Sequence, residues 1–589
     1  MARIVPDLLE ERAAEHPERP ALRVKRGGEW QTTTWRGYRD AARRFGRALL
    51  QLGVEPGKGV AILSYNRPEW FVADQGAIAA GALPVGIYTN LTAEQIAYVA
   101  RHSESRVAVV ENREQLDKFL AVRGELPELA TLVLLDGASD APGVIGWEEL
   151  MALGDGVPEA DLDERLAAQR PDDTCTLIYT SGTTGAPKGV MLTHQNFVWT
   201  AAAVCGEFTL GADDVVISYL PLAHSAEQMV SLYIPLTRGL CTAFAESLEK
   251  IGENLREVRP QLFFAVPRVW EKIQAAIVEA GAKNPPLKKK IAAWARKVGL
   301  ESGYADQRGE KRPWTYPIAD KLVFSKVRER LGLDRALICA TGAAPISLDT
   351  AEFFLSLGIP IMECYGLTET SAPATVSVPG RYRTGAAGYV LPGSEIRAAP
   401  DGELFIRGPH VFKGYSKEPA ATREVLSDDG WFATGDVGVV DEQGFVRITD
   451  RKKEILVTSG GKNVAPQAIE AKLKAISGVE QAVVIGDRRN YLTALLTVEP
   501  GQAAAALAAA GEEAPSDPAA LAAHPALRRH LEAEVERVNA TLARYEQIKR
   551  FAVLPGPFSV EGGELTPTLK LKRRVIHDKH AGEIEALYA

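Results

Sequence analysis

YTSGTTGAPKGV, running from Tyr179 to Val190, is a stretch of small, hydroxyl and glycine residues with one lysine, set between two apolar segments. Thr174 to Tyr179 before it (TCTLIY) and Val190 to Thr193 after it (VMLT) are β-branched or apolar enough to be strands. The motif is therefore predicted to be a loop joining two strands. Gly182, Gly185 and Gly189 let the backbone take positive φ and approach a ligand closely, so that successive amides can form an anion-binding concavity. Thr180, Ser181, Thr183 and Thr184 add hydroxyl donors, and Lys188 supplies a point charge suited to phosphate. The loop is not a Walker A loop: no G-x-x-x-x-G-K-[ST] can be read, and no helix pattern begins directly after the lysine. A flexible Gly/Thr surface loop would not be expected between two apolar strands.

At 589 residues the chain exceeds one ordinary domain, and 46% hydrophobic with 24% charged residues is a globular composition. A net charge of -8 argues against a general nucleic-acid binder, which needs a positive field. The five cysteines are widely spaced with no C-x-x-C pair, which predicts a reduced, cytoplasmic chain. Pro6, Asp7, Glu10 and Glu11 stand where a secretory signal needs an apolar run. No stretch has the roughly 18 uninterrupted apolar residues of a transmembrane helix, so any contact with the inner membrane face is expected to be peripheral.

The first part alternates strand-like runs (Val60 to Leu63, Leu83 to Ile87, Val107 to Val110) with helical patterns at Pro68 to Ala80 and from Thr92, where Thr92 and Gln95 form a capping box. Further strand candidates recur at Thr131 to Leu135, Val215 to Leu220, Leu262 to Val266 and Ala336 to Ala340. The alternation predicts α/β layers with a mostly parallel sheet, whose ligands gather beyond the strand ends. Between Gly281 and Trp314 lies a lysine- and arginine-rich segment that reads as a surface helical excursion; a solvated charged face is the simpler account of it, an anionic-membrane patch the other. From Glu403 short strands and turns take over. A charged DRKKE at Asp450 then precedes a fresh helical pattern with Ile469, Leu473 and Ile476 on one face. The boundary is placed there.

The S-G-T-T-G-x-P-K-G string resembles the phosphate loop of the AMP-forming adenylating enzymes, which include acyl-CoA synthetases, firefly-type luciferases and peptide-synthetase adenylation domains. Similarity extends along nearly the whole chain. YGLTET looks like the family's Y-G-x-T-E, which implies that Tyr365 and Gly366 border adenine, Thr368 contacts the α-phosphate, and Glu369 holds Mg²⁺ with Thr180 as the second protein contact. TGAAP implies an adenine pocket at Gly342, Ala343 and Ala344, although alone it is a commonplace small-residue turn. DGWFATGD matches the family's D-G-W-x-x-T-G-D, with Phe432-Ala433 in place of the commoner Leu-His, and implies ribose contacts from Asp436 and Arg451. His224 matches the position beside the acyl carboxylate, and Trp270 an aromatic that gates the fatty-acid tunnel of long-chain members, with core packing its competitor. Lys453 falls where the family has its hinge residue, Gly460 and Gly461 where a glycine loop borders the pantetheine channel, and Lys570 in LTPTLKLKRR at the final lysine, with Lys572 as the alternative.

The resemblance implies an α/β multi-subdomain N-terminal assembly over 1–450 and a small mobile α+β C-terminal domain over 451–589. It implies, too, that ATP, Mg²⁺ and coenzyme A serve to convert a fatty acid to acyl-adenylate and then acyl-CoA, with Lys570, Lys188 and His224 acting at the reacting centre. Other members of the family, and a non-catalytic lipid- or nucleotide-binding relative, are the rival readings. The joint presence of Lys188, Glu369, Asp436, Arg451 and Lys570 speaks against the last.

Overall fold

A computed structural model describes residues 3–180, 186–560, 562–566 and 570–589. Ser181, Gly182, Thr183, Thr184 and Gly185, at the tip of the glycine-rich motif, lie outside the described residues. On either side of them the expected strands are present: Thr174–Thr180 pairs antiparallel with Lys188–Thr193, from Thr174 opposite Thr193 to Thr180 opposite Lys188. The motif is thus the connection of a β-hairpin, and a short third strand, Gly414–Tyr415, pairs with its second arm.

The strands expected in one mostly parallel sheet are divided between two. Five parallel strands, in the order Leu83–Gly86, Gly59–Leu63, Ser105–Val110, Thr131–Leu134 and Val144–Gly146, form the first. The second has seven, in the order Ile361–Glu363, Ile338–Thr341, Leu262–Ala265, Val215–Ser218, Cys241–Phe244, Pro20–Arg26 and Glu29–Thr34, parallel except for the final hairpin. Gly59–Leu63 is buried along its whole length, which explains its unbroken apolar sequence. Helix Pro68–Ala79 is buried from Trp70 to Ala79 and so shows no amphipathic stripe. It crosses helix Trp35–Gln51 so closely that a Cβ on Gly76 would lie 2.5 Å from the Ala42 carbonyl oxygen and 2.8 Å from the Phe45 ring.

After the parallel sheets come smaller antiparallel ones, Tyr365–Leu367 with Ala372–Val376 and Tyr389–Val390, and a four-stranded sheet of Glu395–Ala398, Glu403–Arg407, Phe432–Val440 and Val446–Arg451. The chain then enters a smaller α+β unit. Strands Val479–Ile485 and Leu492–Val498 are antiparallel, and Ile548–Val553 joins the second in parallel. The alanine-rich tract supplies helices Pro500–Ala509 and Pro518–Ala522, as propensity predicts. The largest buried apolar cluster ends at Phe445, and those of the smaller unit begin at Leu456. Between them, Asp450 accepts from the amides of Arg451 at 2.6 Å and Gln467 at 3.2 Å, tying the last strand to the first turn of helix Pro466–Lys474.

Because Gly76 has no room for a methyl group, Gly76→Ala is expected to cost about 1–3 kcal/mol by overpacking. Urea unfolding should show the loss as a lower midpoint.

Candidate active site

Where the hairpin, the second large sheet, the antiparallel sheets and the smaller unit meet, they enclose a cleft of about 1280 Å³. Thr180 and Lys188, at the facing ends of the two hairpin strands, lie on its wall. Gly342, Ala343 and Ala344 line it just beyond the C-terminal end of strand Ile338–Thr341, where ligands of parallel sheets gather. Ala343 has φ of 66°, a left-handed conformation unusual for a side chain other than glycine. A Cβ on Gly342 would meet the Cys364 sulfur at 2.8 Å, so this turn lies directly against the residue before Tyr365.

Tyr365 and Gly366 line the same space, and the Tyr365 hydroxyl donates to Asp436 Oδ2 at 2.8 Å. Asp436 sits directly opposite Arg451 in the antiparallel ladder, with Arg451 Nε 3.3 Å from Asp436 Oδ1. Burial raises the Asp436 pKa above the usual carboxylate value, against the pull of Arg451 and Tyr365. Glu369 follows in the 3₁₀ turn Thr368–Thr370, where burial likewise raises its pKa. Its Oε1 accepts from the Tyr415 hydroxyl at 2.8 Å, and the Lys188 ammonium lies 4.6 Å from the centre of the Tyr415 ring. Tyr415 therefore links the lysine of the glycine-rich motif to the acidic residue of YGLTET.

Thr368 lines the cleft beside Ser225, its Oγ1 3.3 Å from Ser225 Oγ. The preceding residue, His224, caps a short helix: its Nδ1 accepts from the Ala226 amide at 3.1 Å. That bond puts the ring proton on Nε2. Burial, reinforced by the Lys570 cation, lowers the His224 pKa to about 4, so the ring is neutral near pH 7. Lys570 reaches the cleft from the smaller unit, where its amide donates to Thr566 Oγ1 at 3.0 Å and its carbonyl accepts from the Thr566 amide at 2.8 Å. Its side chain is exposed to the cleft, whose walls, by desolvation, and then the Arg451 cation hold its pKa below the usual lysine value. Three positions on, Arg573 is anchored by Glu454 at 3.0 Å and Glu470 at 2.6 Å.

Two expected positions lie elsewhere. Gly460 and Gly461 form the exposed tip between strands Leu456–Val457 and Asn463–Val464, outside the cleft, while Lys453 lines it. Lys570, not Lys572, is the lysine at the wall. Trp270 is fully buried beneath the sheet, with Phe354 at 4.9 Å and Phe263 at 5.3 Å between ring centroids, and donates Nε1–H to the Ala340 carbonyl at 3.3 Å. It lines no part of the cleft. Aromatic packing, rather than a gate, explains it in this structure.

Residues that do form the apolar arm of the cleft escaped the sequence reading. Val204 and Phe208 come from the end of helix His194–Glu207, and Met229, Val230 and Ile234 from or just after the π-helical turn Met229–Tyr233. Leu262, Phe264, Ile338 and Met362 face them from alternate positions on the large sheet. Arg573 and Tyr415 were missed as well, the latter despite its place in a conspicuous turn-rich stretch.

Residues 9–416 match the AMP-binding enzyme family, and residues 453–589 match an AMP-binding enzyme C-terminal domain. The chain belongs to the AMP-binding enzymes. It is 39% identical to the long-chain-fatty-acid--CoA ligase ACSBG2 of Xenopus laevis, over 99% of this chain and 83% of that protein. The human protein of the same name is 36% identical over 99% of this chain and 92% of its own. Solved structures with the same fold include the anthranilate CoA ligase AuaEII with anthranoyl-AMP, at 21% identity, a TM-score of 0.74 and coverage of 100% and 98% of the two chains. The adenylation domain of a carboxylate reductase from Mycobacterium chelonae aligns at 23% identity with a TM-score of 0.78, covering 100% of this chain and 91% of that one. These likenesses establish the architecture of this AMP-binding enzyme as a large α/β part with a smaller C-terminal domain.

Trp270→Ala in this AMP-binding enzyme is expected to cost about 3–5 kcal/mol in urea unfolding, as for a buried aromatic. Its activity on octanoate and palmitate should fall in parallel; loss confined to one acid would restore the gate. Tyr415→Phe removes the donor to Glu369 and is expected to shift the magnesium concentration for half-maximal rate, with little change in melting temperature. An unchanged metal dependence would count against a metal role for the Tyr415–Glu369 pair.

Proposed function

We propose that this AMP-binding enzyme activates a long-chain fatty acid with ATP and passes the acyl group to coenzyme A, releasing pyrophosphate and AMP. The observation that carries the reading is one continuous cleft, in which Lys188, Glu369, Asp436, Arg451 and Lys570 line a polar end and Val204, Phe208, Val230 and Ile234 line an apolar arm. The names of the relatives that match nearly the whole chain agree with it.

In the first step a carboxylate oxygen attacks the α-phosphorus of ATP and pyrophosphate leaves; in the second the coenzyme A sulfur attacks the acyl carbonyl and AMP leaves. Two anions must approach in the first step, so orientation and charge stabilisation supply most of the rate. Lys188 and Lys570 bring positive charge to the nucleotide and the reacting centre. Neutral His224 offers Nε2–H as a hydrogen-bond donor to an acyl oxygen and, lacking the imidazolium proton near pH 7, is not a general acid. Tyr365 and the Gly342–Ala344 turn form the adenine side, and Asp436 with Arg451 the ribose side. Glu369 fits Mg²⁺: burial leaves its carboxylate under-compensated, with Tyr415 its side-chain partner. Thr180 is the second protein oxygen. Mg²⁺ commonly takes one or two protein oxygens and fills its other positions with phosphate oxygens and water. When bound, that ion supplies Lewis-acid stabilisation of phosphate charge.

The large part is assigned to 1–450 and the smaller domain to 451–589, with Lys453 as the hinge. Lys570 lies in the cleft and Gly460-Gly461 outside it, an arrangement suited to adenylation. Rotation of the smaller domain would withdraw Lys570 and bring the glycine tip to the coenzyme A entrance. Lys570→Ala is accordingly expected to slow pyrophosphate release by roughly 10²- to 10³-fold, the loss typical of one preorganised donor. Acyl-CoA formation from synthetic acyl-adenylate should be largely spared. Equal slowing of both half-reactions would overturn the two-state assignment, and absence of fatty-acid-dependent pyrophosphate release in the unmodified enzyme would overturn the function.

A further inference from the structure

The lysine-rich excursion carries a second surface property besides its charge. Six of the thirteen large hydrophobic side chains that are exposed among the described residues fall between 278 and 322: Val278, Leu287, Trp294, Trp314, Ile318 and Leu322. Trp314 is 82% exposed and Leu287 70%. Over 278–322 the sequence has ten Lys and Arg against five Asp and Glu, in a chain whose net charge is -8. Lys283, Lys288, Lys289 and Lys290 are all exposed.

The local fold explains how these groups come to face outward. Helix Pro286–Gln307 buries Ala295, Val298, Gly299, Ser302 and Gly303 on one side. Ala295 and Val298 share a small separate core with Ala319 and Phe324 of the following helical segment, while Gly299 and Gly303 pack against Ser356 and Leu355, so only the remaining sides of the two segments face outward. Leu287, Lys290, Trp294 and Lys297 recur at three- and four-residue spacing beside the buried stripe, and Trp314, Ile318 and Leu322 recur at four. The excursion is also clamped to the edge of the cleft. Gln307 and Thr384 exchange two hydrogen bonds, both at 3.0 Å, and the next residue, Gly385, lines the cleft.

A purely solvated face accounts for the lysines but leaves two tryptophans and several aliphatic side chains in water without purpose. An anionic bilayer accommodates both: Lys and Arg meet the headgroups, while Trp, Leu and Ile enter the interface. A chain of net negative charge is repelled by such a surface except through a basic patch, which therefore also sets the orientation. We propose that the surface formed by residues 278–322 docks this enzyme on an anionic lipid bilayer, with the edge of the acyl-binding cleft held close to the membrane in which fatty acids partition. The purpose of the docking rests on the fatty-acid reading; the docking itself does not.

Sedimentation with vesicles of phosphatidylcholine, alone or mixed with phosphatidylglycerol, tests it without ATP or coenzyme A. Binding is expected to the mixed vesicles only, to weaken with salt, and to fall about a hundredfold in Lys288→Gln/Lys289→Gln/Lys290→Gln, from roughly fivefold per lysine. The blue shift of tryptophan emission on binding should shrink in Trp314→Ser. Both variants should retain acyl-CoA formation from detergent-dispersed fatty acid, so that a failed docking test and a failed activity test remain distinct. No binding to mixed vesicles at low salt, equal binding to neutral vesicles, or binding indifferent to both variants would overturn the proposal. Polyglutamate bound as tightly as the vesicles, with no emission shift on vesicles, would overturn it in favour of an acidic protein partner.

Discussion

The pairing of Asp436 with Arg451 across an antiparallel ladder is the constraint on which the geometry of the site depends. It joins the long strand Phe432–Val440 to the last strand before the smaller domain, and it does so with a carboxylate that is almost fully buried. Removing water from that carboxylate is costly, and the guanidinium with the Tyr365 hydroxyl supplies the compensation. Tyr365 is thereby fixed at the cleft wall by the same carboxylate that pairs with Arg451. From Tyr365 the chain runs within four residues to Glu369, and from Glu369 through Tyr415 to Lys188. A sequence of direct contacts thus crosses the cleft from the domain junction to the glycine-rich hairpin.

The motifs that could be read from sequence were those whose chemistry is packed into a few consecutive residues. A hairpin with a glycine- and hydroxyl-rich connection announces itself, because apolar strands must flank it, and the paired strands are found. YGLTET and TGD were equally local. The apolar arm was not legible, because it is assembled from alternate positions on several strands and from a π-helical turn, with no contiguous signature. Arg573 was passed over because a basic tail ordinarily points into solvent; here two carboxylates on the helical side of the smaller domain draw it inward.

The orientation of Trp270 was not legible from its own helix. Helix Pro267–Ala282 buries little besides Pro267 and Trp270, so its pattern offers no broad apolar face by which to orient the ring. Only the position of Phe263 and Phe354 decides that it turns under the sheet. Similarly, the alternation of strands and helices was legible while its division into two sheets was not. Strand order depends on long crossovers that local periodicity does not record.

The gap between the apolar clusters ending at Phe445 and those beginning at Leu456 bears on how the enzyme fails as well as how it works. Each side has its own hydrophobic interior, so the loss of one does not require the loss of the other, and unfolding of the whole chain need not be a single cooperative event. Lys570 is carried by the smaller unit, between Leu565 and Leu571 of its second apolar cluster, and with it one of the positive charges of the cleft wall. Heat that melts only the C-terminal unit would therefore leave a folded vessel, still shaped for nucleotide and acyl chain, whose chemistry has been switched off.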